Sequence, residues 1–144
     1  MRLEIAAERG LHTVHSLVLA FPIALFSAGL VADIAYLRTA EIQWTNFAAW
    51  LIVGALVFGG IAAAWALASL VIALRSPQRT RRLIYFGVLA AMWLLGLVNA
   101  FKHSQDGWSS VGALGIILSM LCTVLALVAG VMAYTPTISR EIAR

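Results

Sequence analysis

The stretch that decides the fold is His15–Tyr36, HSLVLAFPIALFSAGLVADIAY. It sets one histidine, one proline and one aspartate in an otherwise apolar background. A hydrocarbon core of roughly 30 Å takes about 20 helical residues to cross, so this stretch is long enough to span a bilayer. Three further runs of that kind follow, and together the four predict spans at about Leu17–Leu37, Phe47–Leu74, Leu83–Phe101 and Val111–Tyr134.

The composition agrees. Hydrophobic residues make up 62% of the 144 positions and charged residues 11%, too little polar surface to cover a soluble domain. Backbone groups in hydrocarbon must bond within the chain, which allows helices or a closed barrel. The runs lack the period-two alternation of barrel strands. The expected fold is therefore all-α, a four-transmembrane-helix up-down bundle forming a single integral membrane domain over residues 1–144. The longest polar connections, RTAEIQWTN (38–46) and RSPQRTRR (75–82), leave no room for a soluble domain between spans. The first apolar run exceeds the about 7 to 15 residues of a signal peptide's apolar region, so it is expected to be retained.

Net charge is +4, but its placement matters more than its size. Arg75, Arg79, Arg81 and Arg82 stand in one connection without an acid, whereas Arg38 faces Glu41 and Lys102 faces Asp106 in the other two. The positive-inside rule then puts the arginine-rich connection in the cytoplasm, and both termini with it, carrying Arg2, Arg9, Arg140 and Arg144. A basic loop beside anionic lipid accounts for this charge, and no nucleic-acid partner is expected.

Helices in lipid associate through small residues that let backbones approach. Gly60, Ala64 and Ala68, four apart on the second span, are the expected packing series, with Gly54 and Gly59 beside them. Gly87 with Ala91, Gly96 with Ala100, and Ala126 with Gly130 are expected to serve the third and fourth spans. Pro22 removes the amide that would bond the Val18 carbonyl, which predicts a kink and a partner for that carbonyl from Ser16 or a neighbouring helix. Trp44, Trp50, Trp108 and Tyr134 read as interfacial anchors, and the lone Cys122 as a small core residue.

Chemistry must come from few residues. His12 and His15 precede the body of the first span, while His103 follows the third, on the opposite side of the membrane. A haem b held by two imidazoles needs them at one depth on opposite ring faces, so His15 and His103 cannot share one within this chain. His12 and His15, three apart on one helix, are candidates for a single-ligand haem or a metal completed by other ligands. Asp33 lies about one turn inside the end of its span, and Asn99 and His103 are i and i+4 on the third, at the same depth. Membrane-embedded acids usually point into the bundle toward a partner. Asp33, Asn99 and His103 are therefore the candidate polar site, with Lys102 and Asp106 at its rim. Two readings stand: a quinone headgroup pocket or proton path, and a structural role in which Asp33 snorkels or pairs with Arg38 or Lys102 and only pins the first helix to the third. No nucleophile-base pair, phosphate loop or metal-ligand spacing is present, so no catalysis is expected.

The opening HSLVLAFPIALFSAGLVADIAY resembles a family of small bacterial four-helix membrane proteins, a domain of unknown function, whose first helix opens His-Pro-x-x-x-His-Phe-Pro-x-Ala-Leu and ends with an aspartate. His15, Phe21, Pro22, Ala24, Leu25 and Asp33 occupy matching positions. The stretch NAFKHSQDGWSSVGALGIILSMLCTVLALVAG is similar to that family's later half, where an Arg-Asp or similar pair leads into the last helix. Ser16 replaces the family's proline and Ala20 its second histidine, so any metal or haem that histidine holds in relatives is lost here. The resemblance implies redox company, since such proteins resemble membrane partners of periplasmic quinoprotein or cytochrome dehydrogenases.

The expected function is a non-catalytic accessory subunit of the bacterial inner membrane, packed by its helix faces against other membrane subunits in a hetero-oligomeric complex and holding no cofactor. The alternative is an electron-transfer or quinone-binding subunit, with haem b or a quinone as its cofactor. A reporter active only in the cytoplasm, fused after Arg144, should be active. A stably inserted but inactive fusion would reverse the topology.

Overall fold

The computed structural model describes residues 2–105 and 111–135, with side chains from Gly10 onward. Its elements are α1 (Arg2–Thr39), α2 (Ile42–Ile72), α3 (Arg79–His103) and α4 (Ala113–Tyr134), with no strand among the described residues. All four contain a segment long and apolar enough to cross a membrane. Asp106, Trp108, Arg140 and Arg144 lie outside the described residues, as do the side chains of Arg2 and Arg9.

The helices run further than the apolar runs alone predict. Trp44, Thr45 and Asn46, read above as part of a polar connection, belong to the first turns of α2, and only Ala40 and Glu41 separate α1 from α2. So short a link needs a sharp reversal. Ala40 makes it at φ 56, donating its N–H to the Tyr36 carbonyl at 2.8 Å. That left-handed position is usually glycine's, because a Cβ crowds the backbone there.

Each helix packs on its sequence neighbour and α1 also packs on α4, which makes a square with α1 diagonal to α3. The inward faces of this diagonal pair keep one register. On α1 it is His15, Leu19, Pro22, Phe26, Gly29 and Asp33, and on α3 Tyr85, Leu89, Met92, Gly96, Asn99 and His103. The alternating steps of four and three are those of a left-handed coiled-coil seam. Two parallel helices can hold such a register over their whole length. The His15–Tyr85 and Asp33–His103 pairs, each separated by 70 positions, mark its two ends.

Size is distributed to suit. The diagonal pair fills the centre with Leu19, Phe26, Leu89 and Met92, all essentially inaccessible. The inward faces of α2 and α4 are mostly small: Ala48, Ala55, Gly59, Ala62 and Ala66 on one, Gly115, Ser119, Cys122, Ala126, Ala129 and Gly130 on the other. Cys122 is a wholly buried core residue. A Cβ on Gly96 would come within 2.8 Å of the Phe26 ring, and one on Gly130 within 2.8 Å of Ile23.

Three expectations about packing need correction. Ala64 and Ala68 face outward, and the inward series on α2 is Gly59, Ala62 and Ala66. Gly60 alone of the expected series meets a neighbour, seating the Trp93 indole, whose Nε1–H donates to the Leu56 carbonyl at 3.0 Å. The cause is that α2 is apolar all round, so its small residues do not reveal which side faces in. Gly87 is exposed with open space where its side chain would stand. The Ser16 hydroxyl is buried without a partner, so it does not answer the carbonyl freed by Pro22, and α1 passes through Pro22 as one element.

These contacts rank the glycines. Gly96→Leu drives a side chain into Phe26 and Leu56 and should destabilise the bundle by about 1 to 3 kcal/mol or more. Gly87→Leu should leave stability within about 0.5 kcal/mol of the parent. Thermal unfolding of both variants in detergent checks the order.

Candidate functional site

At the end of the bundle opposite the arginine-rich connection, three helices close a ring of hydrogen bonds. Asp33 on α1 is 0% exposed. Its Oδ1 meets His103 Nε2 at 2.8 Å, and its Oδ2 accepts from the Ser119 hydroxyl of α4 in a very short bond. The Asn99 amide donates to Ser119 Oγ at 2.9 Å, and His103 Nδ1–H donates to the Asn99 carbonyl at 2.9 Å. From Asn99 the bonds run through Ser119, Asp33 and His103 back to the Asn99 backbone.

Local sequence places each member. Asn99 and His103 share a face of α3 because they are one turn apart, and that spacing lets the imidazole reach the Asn99 carbonyl. On α4, Ser119 and Thr123 are also one turn apart and both buried. Thr123 donates to the Ser119 carbonyl at 2.8 Å and lies 3.1 Å from the Phe26 carbonyl of α1, tying α4 to α1 one turn nearer the centre.

The three residues singled out from sequence therefore do come together, with two differences. Asn99 reaches Asp33 through Ser119 rather than directly, and Ser119 itself was missed. Serine is common in membrane helices, so it carried no signal alone. Its depth on α4, together with Thr123 one turn on, is the feature that would have marked it. Asp33 does not snorkel and does not pair with Arg38 or Lys102. Arg38 is exposed, and Lys102 bonds Gln105 at 2.9 Å.

The ring does not form a hydrolase triad. Such a triad needs the hydroxyl bonded to the imidazole so that histidine can take its proton. Here serine and histidine bond different oxygens of the same carboxylate, so Ser119 is held and not activated. Asp33, Ser119 and His103 have no free donor for a quinone headgroup, since the Asp33 oxygens, the Ser119 hydroxyl and both imidazole nitrogens are already engaged. The Asn99 Oδ1 is the member of the ring left buried without a partner.

The remaining histidines lie at the opposite end. His15 is 9% exposed, with Nε2 2.7 Å from the Tyr85 hydroxyl and its ring against Trp65. His12 is exposed. Eighteen positions of α1 separate His15 from Asp33, about 27 Å along a helix axis. Two imidazoles so far apart do not fit the two faces of one haem. Among the described residues no group of three or more His, Cys, Asp or Glu side chains is placed to hold a metal ion. Arg81 and Arg82 of the basic connection reach the Met132 and Ser69 carbonyls, covering the ends of α4 and α2, while Arg75 and Arg79 are exposed.

Four spanning helices around a buried ionisable ring define the class: a polytopic membrane bundle. A family match extends this over residues 11–135, and the chain belongs to that family, described as predicted membrane protein DUF2231. No curated protein and no solved structure matches the chain.

Removing different members of the ring should cost different amounts. Ser119→Ala loses interhelical hydrogen bonds, each worth about 0.6 to 2 kcal/mol in a membrane. Asp33→Leu strands both His103 Nε2 and Ser119 and should cost more, about 3 to 5 kcal/mol as for a broken buried pair. Denaturation in mixed micelles should rank Asp33→Leu well below Ser119→Ala. The reverse order would mean that the carboxylate does not close the ring.

Proposed function

We propose that the protein is a non-catalytic integral membrane subunit that packs by its helix faces into a larger membrane assembly. The setting in this reading is the bacterial inner membrane, with both termini cytoplasmic and an energy-transducing or dehydrogenase-linked complex as host. The observation that carries it is the outer face of α2. Ala64 and Ala68, four apart, are both exposed and continue outward from Gly60, which seats Trp93, so they leave a pair of small residues on the outer face of α2. In lipid such a pair supplies close backbone approach for another helix. Two features support the reading. The polar groups of Asp33 and Ser119 are turned inward, and the links between helices are short, so helix faces are the main surface the chain offers.

Ala64→Leu with Ala68→Leu fills that face without touching the core. The purified double variant should melt with the parent. Solubilised gently from its own membranes, it should run on a native gel as a smaller species than the parent assembly. Equal migration of parent and variant would mean that this face meets only lipid. A haem absorption spectrum in the purified parent would overturn the reading in which the subunit holds no redox centre.

A further inference from the structure

The ring at Asp33 has a proton count that its geometry dictates. The Asn99 carbonyl can only accept, so the hydrogen on the His103 side of that contact sits on Nδ1. The Ser119 hydroxyl gives its hydrogen to Asp33 Oδ2 and accepts from the Asn99 amide, so it has no second hydrogen to offer. What remains is the 2.8 Å contact between His103 Nε2 and Asp33 Oδ1. It needs one hydrogen. Carried by the imidazole, that hydrogen makes an imidazolium facing a carboxylate. Carried by the acid, it makes a neutral imidazole facing a neutral carboxyl. Either way the pair is neutral overall, the least costly state for a site 0% exposed at Asp33 and 7% at His103. Without it, an imidazole lone pair faces a carboxylate oxygen and the contact becomes repulsive.

We propose that Asp33 and His103 together form a proton-binding site, in which a single exchangeable proton between Nε2 and Oδ1 decides whether α1 and α3 are joined at this end of the bundle. The pair spans the diagonal of the square, where α1 and α3 have no close backbone packing among the described residues to hold them instead. Releasing the proton leaves a buried carboxylate with a single donor, Ser119. Adding a second leaves an unbalanced positive charge. The joined state is therefore the one-proton state, and that proton belongs to the pair rather than to either residue alone.

Few other charges face the pair. Within its spanning length α2 carries no ionisable side chain, and α4 carries only Cys122 and Tyr134. Cys122 lies on the Met92 carbonyl, and Tyr134 bonds the Ser16 carbonyl at the opposite end. Arg38, at the end of α1, and Glu41, before α2, are exposed, and Lys102 of α3 is engaged with Gln105. Asp106 is outside the described residues. Tyr36, three residues beyond Asp33 on α1, is half-buried and also ionisable, so the titration is read in a Tyr36→Phe background, where the response to pH at this end rests on Asp33 and His103.

The test is an alkaline titration of the full chain in detergent, following His103 by nitrogen resonance and the Asp33 carboxyl by difference infrared spectroscopy, with melting recorded at each pH. The parent should show both residues changing at one shared midpoint, and its melting temperature should fall as the pH rises through it. In Asp33→Asn the amide donates to His103 and accepts from Ser119 with no ionisable proton between them, so the melting profile should lose the parent's fall across that range. Ser119→Ala keeps the pair and should keep the shared midpoint, displaced by the lost hydrogen bond. Independent midpoints for His103 and Asp33 in the parent would overturn the proposal, whether or not the asparagine variant folds. So would a melting profile in Asp33→Asn that falls as the parent's does.

Discussion

Inside a membrane a polar side chain has no water to bond, and the carboxyl of Asp33 must find its partners in the chain. It finds them on two other helices, with His103 on one oxygen and Ser119 on the other. Breaking either contact strands a buried group at a cost comparable to the net worth of several apolar contacts. This requirement sets the depth of α3 against α1 and the rotation of α4 about its axis. Apolar packing alone would leave both free to slide, since lipid tails are as apolar as leucine.

The same constraint appears in weaker form at the other end, where His15 reaches Tyr85 and Tyr134 reaches the Ser16 carbonyl. Polar diagonal links at both ends enclose an apolar middle in which Phe26 fits against Gly96. The middle supplies close packing and the ends supply register. Large residues on α1 and α3 with small ones on α2 and α4 let four helices converge closely.

Much of the candidate site was legible from residue spacing. Asn99 and His103 one turn apart on α3, with an acid at matching depth on α1, predicted a meeting because intramembrane acids seek partners. Ser119 was not legible, since its importance lies in which way α4 is turned. The packing face of α2 was misread for a related reason. Glycine and alanine occur on both of its sides, and only neighbouring helices distinguish Gly59, Ala62 and Ala66 from Ala64 and Ala68.

The sequence by itself determined that this chain crosses a membrane as four helices, because run length and the need for internal backbone bonding leave no other solution. It also determined that the histidines fall at two ends, because rise per residue converts spacing into depth. Only the tertiary structure decided the diagonal pairing of α1 with α3, the closing of the ring through Ser119 and the side of α2 left to the outside. Those are rotations of helices about their own axes. A helix apolar all round has no sequence signal for its rotation, which is set by the few polar groups that must meet and by the small residues that let them.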